Sequence, residues 1–227
     1  MIDVHAPHER IAGFQDFLLH LLTITIGLLI ALSLEGLVEW RHHVHLVEKA
    51  QETLHAELAF NARQLHNALQ KVQTERAIVD ANLHALARIQ EDPSGKATRN
   101  ANLRATFRQV GLRDTAWKTA QATGALGYMP YDEVERYADV YQSHAAYIDA
   151  NQKIATDVSA FLGLIVRYDP SGKGNLNAAA ASLMAERCGI WKGDLFFVEV
   201  QVKAAALSDD ALLQGKPAPQ GITENLN

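Results

Sequence analysis

An uncharged run of eighteen residues near the start of the chain constrains its structure more than any other feature. The run covers residues 17–34, reads FLLHLLTITIGLLIALSL, and continues through Glu35 and Gly36 to Val38. A helix over residues 17–38 is about 33 Å long at 1.5 Å per residue, close to the roughly 30 Å hydrocarbon thickness of a bilayer. Because the run is apolar around its whole circumference, it differs from the amphipathic helices of soluble cores. The sequence predicts one transmembrane helix over residues 17–38.

The residues at the two ends of the run are typical of a membrane interface. Phe14 and Phe17 stand at one end, and Trp40 and Arg41 stand at the other. Aromatic and cationic side chains prefer the headgroup region of a bilayer. We therefore expect these four residues to be interface anchors.

A cleaved signal peptide is the alternative interpretation of the same run. Ala31-Leu-Ser33 has the small-x-small pattern of a cleavage site. Export signals carry net positive charge before the apolar run, whereas here the positive charge of Arg10 is outnumbered by the negative charges of Asp3 and Glu9. This charge balance favours the membrane helix.

Small side chains recur at every fourth position of the apolar run, at Thr23, Gly27 and Ala31. On a helix this spacing places them on one strip, where a second backbone can approach closely. The strip predicts helix packing and self-association in the membrane, although such residues are common in any membrane helix.

Three histidines, His42, His43 and His45, follow the apolar run directly. Imidazole titrates near physiological pH, so these residues are candidates for pH sensing or for binding lipid headgroups. The alternative is an interfacial cluster with no such role.

Composition and motifs exclude several functional classes. The net charge is −5 with Lys and Arg dispersed, which gives no basic stripe for a nucleic acid partner. Cys188 is the single cysteine, so neither an internal disulfide nor a cysteine-based zinc site is possible within one chain. The sequence lacks GxSxG, HExxH and GxGxxG, and Glu52-x-x-His55 has no second copy to complete a di-iron site. We therefore predict no catalytic residues, no metal and no cofactor.

The rest of the chain reads as helical. Residues 39–90 contain no Gly or Pro, and apolar residues there follow helical spacing, which predicts a long helix with a possible break at Asn61 or Thr74. The positions expected on its buried face are Val47, Ala50, Leu54, Leu58, Leu65, Ala68, Val72 and Val79. Further helices are predicted over residues 102–110, 115–123 with Asp114 as N-cap, and 130–168. On the last of these the expected buried face is Val134, Tyr137, Tyr141, Ala145, Ile148, Ala155, Val158, Leu162 and Ile165.

The C-terminal region predicts two more helices, over residues 177–187 and 194–213. A strand over residues 196–202 is the alternative for part of the second one, because apolar residues alternate there. The pentapeptide DPSGK occurs at residues 92–96 and again at 169–173, which records either a duplicated hairpin or favourable turn chemistry reached twice.

Two segments resemble a group of uncharacterised bacterial proteins with one N-terminal membrane span and an all-helical soluble domain. They are IGLLIALSLEGLVEW, residues 26–40, and TAWKTAQATGALGYMPYDEVERYADVY, residues 115–141. The second contains Trp117, the Thr123-Gly124-Ala125-Leu126 step and a helix with Tyr137 and Tyr141. The N-terminal tail departs from that group by lacking its Lys and Arg richness. The resemblance implies a helical domain beside the bacterial inner membrane, on its extracytoplasmic side, and no known catalytic residue.

Together these observations predict an all-α protein with an N-terminal tail (1–16), a transmembrane helix (17–38), a helical bundle (39–214) and a flexible tail (215–227). The expected function is a membrane-anchored, self-associating interaction or scaffold module, whose partners are the bilayer and a second copy or another membrane protein. The alternative is a receptor-like sensory bundle that binds a small ligand or responds to pH.

Overall fold

The computed structural model describes residues 13–92, 94–168 and 176–216. Over these ranges the chain is helical and contains no strand, which confirms the predicted fold class. The helices are α1 (Phe14–Glu91), α2 (Lys96–Arg99), α3 (Thr115–Ala122), α4 (Tyr131–Tyr168) and α5 (Ala178–Leu213), with a 3₁₀ turn at Ala125–Tyr128. The second DPSGK copy, residues 1–12 of the predicted N-terminal tail and residues 217–227 of the predicted C-terminal tail lie outside the described residues.

The chain divides into two compact units, Met1–Lys49 and Ala50–Asn227. The described part of the first unit is the beginning of α1. Its most apolar eighteen-residue window has a mean hydropathy of 2.4, and none of it is buried. This part of α1 is long enough and apolar enough to span a membrane, as predicted. The hydroxyls of Thr23, Thr25 and Ser33 donate to carbonyls four residues earlier at 2.6–2.8 Å, so these polar groups are satisfied within the helix.

The second unit is a bundle in which the remainder of α1 packs with α4 and α5. The predicted face of α1 is confirmed from Ala50 onward: Ala50, Leu54, Leu58, Leu65, Ala68, Val72 and Val79 are all buried. The predicted break in α1 is wrong, since Asn61 and Thr74 both lie within an unbroken helix. Thr74 donates its hydroxyl to the carbonyl of Gln70, a bond that an exposed helical residue makes without interrupting the backbone ladder.

The buried face of α4 is rotated relative to the prediction. Tyr137, Tyr141 and Val158 are buried as expected, but Phe161 is fully buried while Leu162, one position on, is 47% exposed. Phe161 packs against Trp191 of α5 with ring centroids 5.9 Å apart. Large aromatic residues therefore set which face of α4 points into the core.

A single helix, α5, replaces the two predicted for the C-terminal region, because Gly189 and Gly193 are accommodated inside it. Its N-cap is Asn177, whose side-chain oxygen accepts a hydrogen bond from the Ala180 N–H at 2.9 Å. The strand alternative is wrong: Val198 and Val202, four residues apart, are both buried.

The helix predicted over residues 102–110 is also wrong. Residues 101–114 have no helical structure and run as an extended segment along α1. Asn82 of α1 bonds both backbone groups of Arg104, at 3.0 Å to its N–H and 2.7 Å to its carbonyl, and Asn61 does the same for Arg113, at 2.8 Å each. Each asparagine amide supplies a donor and an acceptor, as the backbone of a neighbouring strand would.

Two glutamates of α1 complete this row of contacts with the extended segment. Glu75 accepts a hydrogen bond from the Arg108 N–H at 3.1 Å, and Glu57 accepts one from the Ala116 N–H at 2.9 Å. The order of contacts shows that the segment runs antiparallel to α1. From Asn61 to Asn82 the helix rises about 32 Å, and the nine steps from Arg104 to Arg113 span about 30 Å when extended. The lengths match, which is why one face of α1 can hold the whole segment.

Candidate functional site

The small-residue strip predicted for helix packing lies on the exposed surface of the first unit. A Cβ added at Gly27 would meet no atom within 4 Å. Thr23 and Ala31 are exposed on the same helix. The surface is therefore open to a second helix, and its use as an interface stays a prediction.

The predicted interface anchors are also exposed. Phe14, Phe17 and Trp40 expose 74%, 55% and 62% of their surface, and Arg41 is exposed as well. Their role as interface anchors stays a prediction.

The three histidines form no metal site in the described part of the chain. The rings of His42 and His43 lie 6.1 Å apart with their planes tilted by 55°. No group of three His, Cys, Asp or Glu suited to a metal ion occurs among the described residues. A role of His42, His43 and His45 in pH sensing stays a prediction.

Buried polar side chains concentrate in the bundle, where the sequence analysis placed no site. Among the residues that the structure describes, seven are buried there: Glu57, Asn61, Glu75, Asn82, His144, Asn151 and Asp209. Three of them, Asn61, Glu75 and Asn82, hold the extended segment against α1, and Glu57 holds the start of α3. The others lie on α4 and α5, and two of these form a cluster together with Glu57 and Tyr141.

Glu57 joins three parts of the bundle in this cluster. One carboxylate oxygen accepts a hydrogen bond from the Tyr141 hydroxyl at 2.6 Å, and the other accepts the Ala116 N–H at the start of α3. Burial, followed by the hydrogen bond to Glu57 and its negative charge, raises the pKa of Tyr141 far above the ordinary value. The phenol therefore stays protonated and acts as a donor, which links α1, α3 and α4.

His144 and Asp209 form the second buried pair of the cluster. Nε2 of His144 lies 2.7 Å from Oδ1 of Asp209, which places a proton between α4 and α5. His144 is 3% exposed and Asp209 is fully buried. Burial raises the pKa of Asp209, although the hydrogen bond and charge of His144 act in the opposite direction. Neither Nδ1 of His144 nor Oδ2 of Asp209 has a hydrogen-bond partner among the described residues.

A cleft of about 270 Å³ opens beside this cluster. Trp117 of α3 stacks on Tyr141 with centroids 5.2 Å apart and planes inclined by 16°, and the Tyr141 ring meets His144 edge-on at 5.4 Å. The lining residues are Leu112, Arg113, Asp114, Trp117, Ala138, Tyr141, Gln142, His144, Ala145 and Ile148. Flat aromatic faces beside a buried imidazole form a pocket suited to a small planar molecule with one hydrogen-bonding group.

Asp114 lies at the rim of this cleft, where it was predicted to cap α3. Its side chain makes no capping hydrogen bond, and its Oδ2 lies 2.6 Å from Nζ of Lys118 instead. The start of α3 is held by Glu57 through the Ala116 N–H. The helix itself, Thr115–Ala122, agrees with the prediction and ends before Gly124, which has a positive φ of 73°.

Sequence reasoning missed the buried polar residues of α1 because it considered Asn61 only as a helix break and gave Glu57, Glu75 and Asn82 no role. A signal was present: residues 57, 61, 75 and 82 share the helical face of Leu54, Leu58 and Leu65, since their spacings of 4, 14 and 7 are close to whole turns. Polar residues on an apolar face require buried partners. The partners themselves, mostly backbone groups of residues 101–116, leave no mark in the side-chain sequence.

Comparisons of the chain with protein-family profiles, with curated proteins and with solved structures give no match. What the protein does must therefore be inferred from its own residues.

Proposed function

We propose that the protein is a single-pass membrane protein, anchored by residues 17–38 in the bacterial inner membrane, with its helical bundle outside the cytoplasm. The exposed apolar surface of α1 carries this proposal: large apolar residues on all sides of the helix are between 45% and 74% exposed over residues 14–40. Burying each such side chain gains about 1.5–3 kcal/mol, so lipid around this segment stabilises it by tens of kcal/mol. The side of the membrane follows from the resemblance of residues 26–40 and 115–141.

The bundle, in this proposal, is a non-enzymatic interaction module that self-associates through its anchor. The support is the open strip of Thr23, Gly27 and Ala31, on which nothing obstructs a second helix at Gly27. Lipid supplies no hydrophobic force between membrane helices, so close backbone packing at small residues is a main source of their association.

The experiment for this function measures both anchoring and self-association of the full chain. After cell lysis we expect the protein in the membrane fraction, resistant to a carbonate wash. In mild detergent we expect a dimer by analytical ultracentrifugation that Gly27→Leu shifts toward monomer. Gly36→Leu, at another open glycine of α1 off the strip, is the matched control and should leave the dimer intact. A monomeric wild-type protein contradicts self-association, and recovery of the intact chain without detergent contradicts anchoring.

The second candidate function is a sensory bundle that binds a small ligand, and the cleft at Trp117, Tyr141 and His144 favours it. A planar metabolite stacked there would raise the thermal stability of the protein by mass action. A metabolite screen by thermal shift should yield a ligand whose effect disappears in Trp117→Ala. The effect should persist in Tyr128→Ala, which changes an exposed aromatic residue outside the cleft.

A further inference from the structure

A second cleft of the bundle carries positive charge and lies on the other side of the extended segment from the core. Its volume is about 200 Å³, and it is lined by Lys71, Thr74, Glu75, Ile78, Arg104, Thr106 and Arg108. The residues of α1 form one wall, and alternate residues of the extended segment form the other.

The alternation of an extended chain explains why cationic side chains gather in this cleft. Leu103, Ala105 and Phe107 belong to the hydrophobic core or pack against it. The residues between them, Arg104 and Thr106, therefore point to the opposite side, and Arg108 follows in the same register. Arg104 and Arg108 are about 13 Å apart along the segment, so their long side chains can approach an ion between them from its two ends.

Buried groups of α1 fix the backbone of both arginines. Asn82 bonds the N–H and the carbonyl of Arg104, and Glu75 accepts the Arg108 N–H. These contacts hold the backbone of both residues on one wall before any ligand arrives. A site whose framework is already ordered loses less entropy when it binds.

The cations of the cleft form no close ion pairs, although Lys71 and Arg108 are near enough to the Glu75 carboxylate to act on its charge. Among residues 13–92, 94–168 and 176–216, the side chains of Lys71, Arg104 and Arg108 form no salt bridge. Arg76 on the same helix differs, because it pairs with Glu199 at 2.8 Å. The one carboxylate of the lining is Glu75, which is 7% exposed and already accepts the Arg108 N–H.

We propose that this cleft binds a phosphate group, held between the guanidinium groups of Arg104 and Arg108 with Lys71 as a third cation. Guanidinium forms bidentate hydrogen bonds with phosphate oxygens, and the hydroxyl of Thr106 supplies a further donor. Three cations against at most one carboxylate leave a net charge of about +2 in the cleft, which complements a dianion. The group belongs either to free phosphate or to a soluble phosphorylated molecule.

The test is a phosphate titration of the full chain in neutral detergent at constant ionic strength, with thermal unfolding followed by tryptophan fluorescence. Phosphate should raise the unfolding temperature of the wild type. The double variant Arg104→Gln/Arg108→Gln should bind phosphate at least about tenfold more weakly, since it loses two charge-assisted contacts. Arg63→Gln/Arg187→Gln removes the same charge from exposed arginines elsewhere and should respond like the wild type.

Glycerol phosphate, titrated in place of inorganic phosphate, distinguishes the two sources of the phosphate group. If glycerol phosphate stabilises the wild type more strongly than inorganic phosphate, and the double variant loses that response, the ligand is a phosphorylated molecule. If inorganic phosphate gives the larger effect, the ligand is free phosphate. The proposal is overturned if neither compound stabilises the wild type, if the double variant keeps its full response, or if the control variant loses the response equally. An unchanged unfolding temperature of the ligand-free double variant shows that it is folded.

Discussion

Asp209 is fully buried with only one of its two carboxylate oxygens hydrogen-bonded among the described residues. Desolvation penalises a buried carboxylate unless its partners compensate fully. His144 offers one contact, and the pKa of Asp209 is still raised above its ordinary 3.8. The stability of the bundle should therefore depend on pH through this residue.

Replacing Asp209 with Asn should flatten that pH dependence. Because the folded-state pKa is raised, the stability linked to this proton is fully present below about pH 3.8 and is lost as pH rises through the folded pKa. Asp209→Asn cannot lose a proton, so its stability relative to the wild type should improve from pH 3 to pH 7. Urea unfolding across this range measures the difference. A relative decline of the variant would show instead that an ionised Asp209 paired with protonated His144 stabilises the fold.

Replacing His144 with Leu should destabilise the protein at neutral pH. The change leaves Asp209 buried without its partner, which costs about 3–5 kcal/mol. The loss should shrink at low pH, where the carboxyl is protonated. His144→Leu/Asp209→Leu should recover most of the stability, because an apolar pair needs no partner. If the double variant is as unstable as the single one, packing at position 144 rather than the unpaired charge accounts for the loss.

At the scale of the elements, the extended segment depends on side chains of α1 in place of a neighbouring strand. Asn82→Ala would leave the N–H and carbonyl of Arg104 without partners, at a cost of about 1–3 kcal/mol for each group that remains buried. Gln73→Ala, an exposed amide on the same helix, should change stability by less than about 0.5 kcal/mol. Urea unfolding gives both values.

Hydrogen exchange locates the effect of Asn82→Ala. The Arg104 amide should exchange faster, whereas the Ala116 amide, held by Glu57, should not change. Equal acceleration at both amides would show that the segment detaches as one unit.

The elements that the sequence predicted well are those whose periodicity reports burial directly. The positions predicted for the buried face of α1 from Ala50 to Val79 repeat at helical spacing, and all seven are buried. The same reasoning failed over residues 102–110, where it predicted a helix. Leu103, Ala105 and Phe107 alternate at a period of two, but the sequence predicted no partner strand for an extended segment. Asn61 and Asn82, whose amides stand in for that strand, carry no sequence signal for this role beyond lying on an apolar face. His144 and Asp209 are 65 residues apart in the sequence, so helical periodicity cannot predict the contact between them.

At the scale of the whole molecule, the two compact units differ in how many of their residues are buried. In the described part of Met1–Lys49 no residue is buried, whereas from Ala50 onward α1 contributes to a core with α4 and α5. The largest fully buried side chains, among them Trp191, Tyr147 and Phe161, all belong to the second unit. The core of the described residues therefore contains no side chain of the apolar segment that we propose as the anchor.

A chain of residues 50–216 should consequently fold without detergent. At 167 residues it is long enough to bury roughly 70% of the surface of its unfolded chain, and we expect a cooperative unfolding transition with a free energy of about 5–15 kcal/mol. Circular dichroism and urea unfolding test this, with the full chain in detergent as the control. Trp191, fully buried in the core, should show the blue-shifted fluorescence of an apolar environment in both forms. Loss of cooperativity in the shorter chain would show that the helix N-terminal to Ala50 is needed to nucleate or hold α1, because the bundle's own contacts would then be insufficient to keep that helix formed.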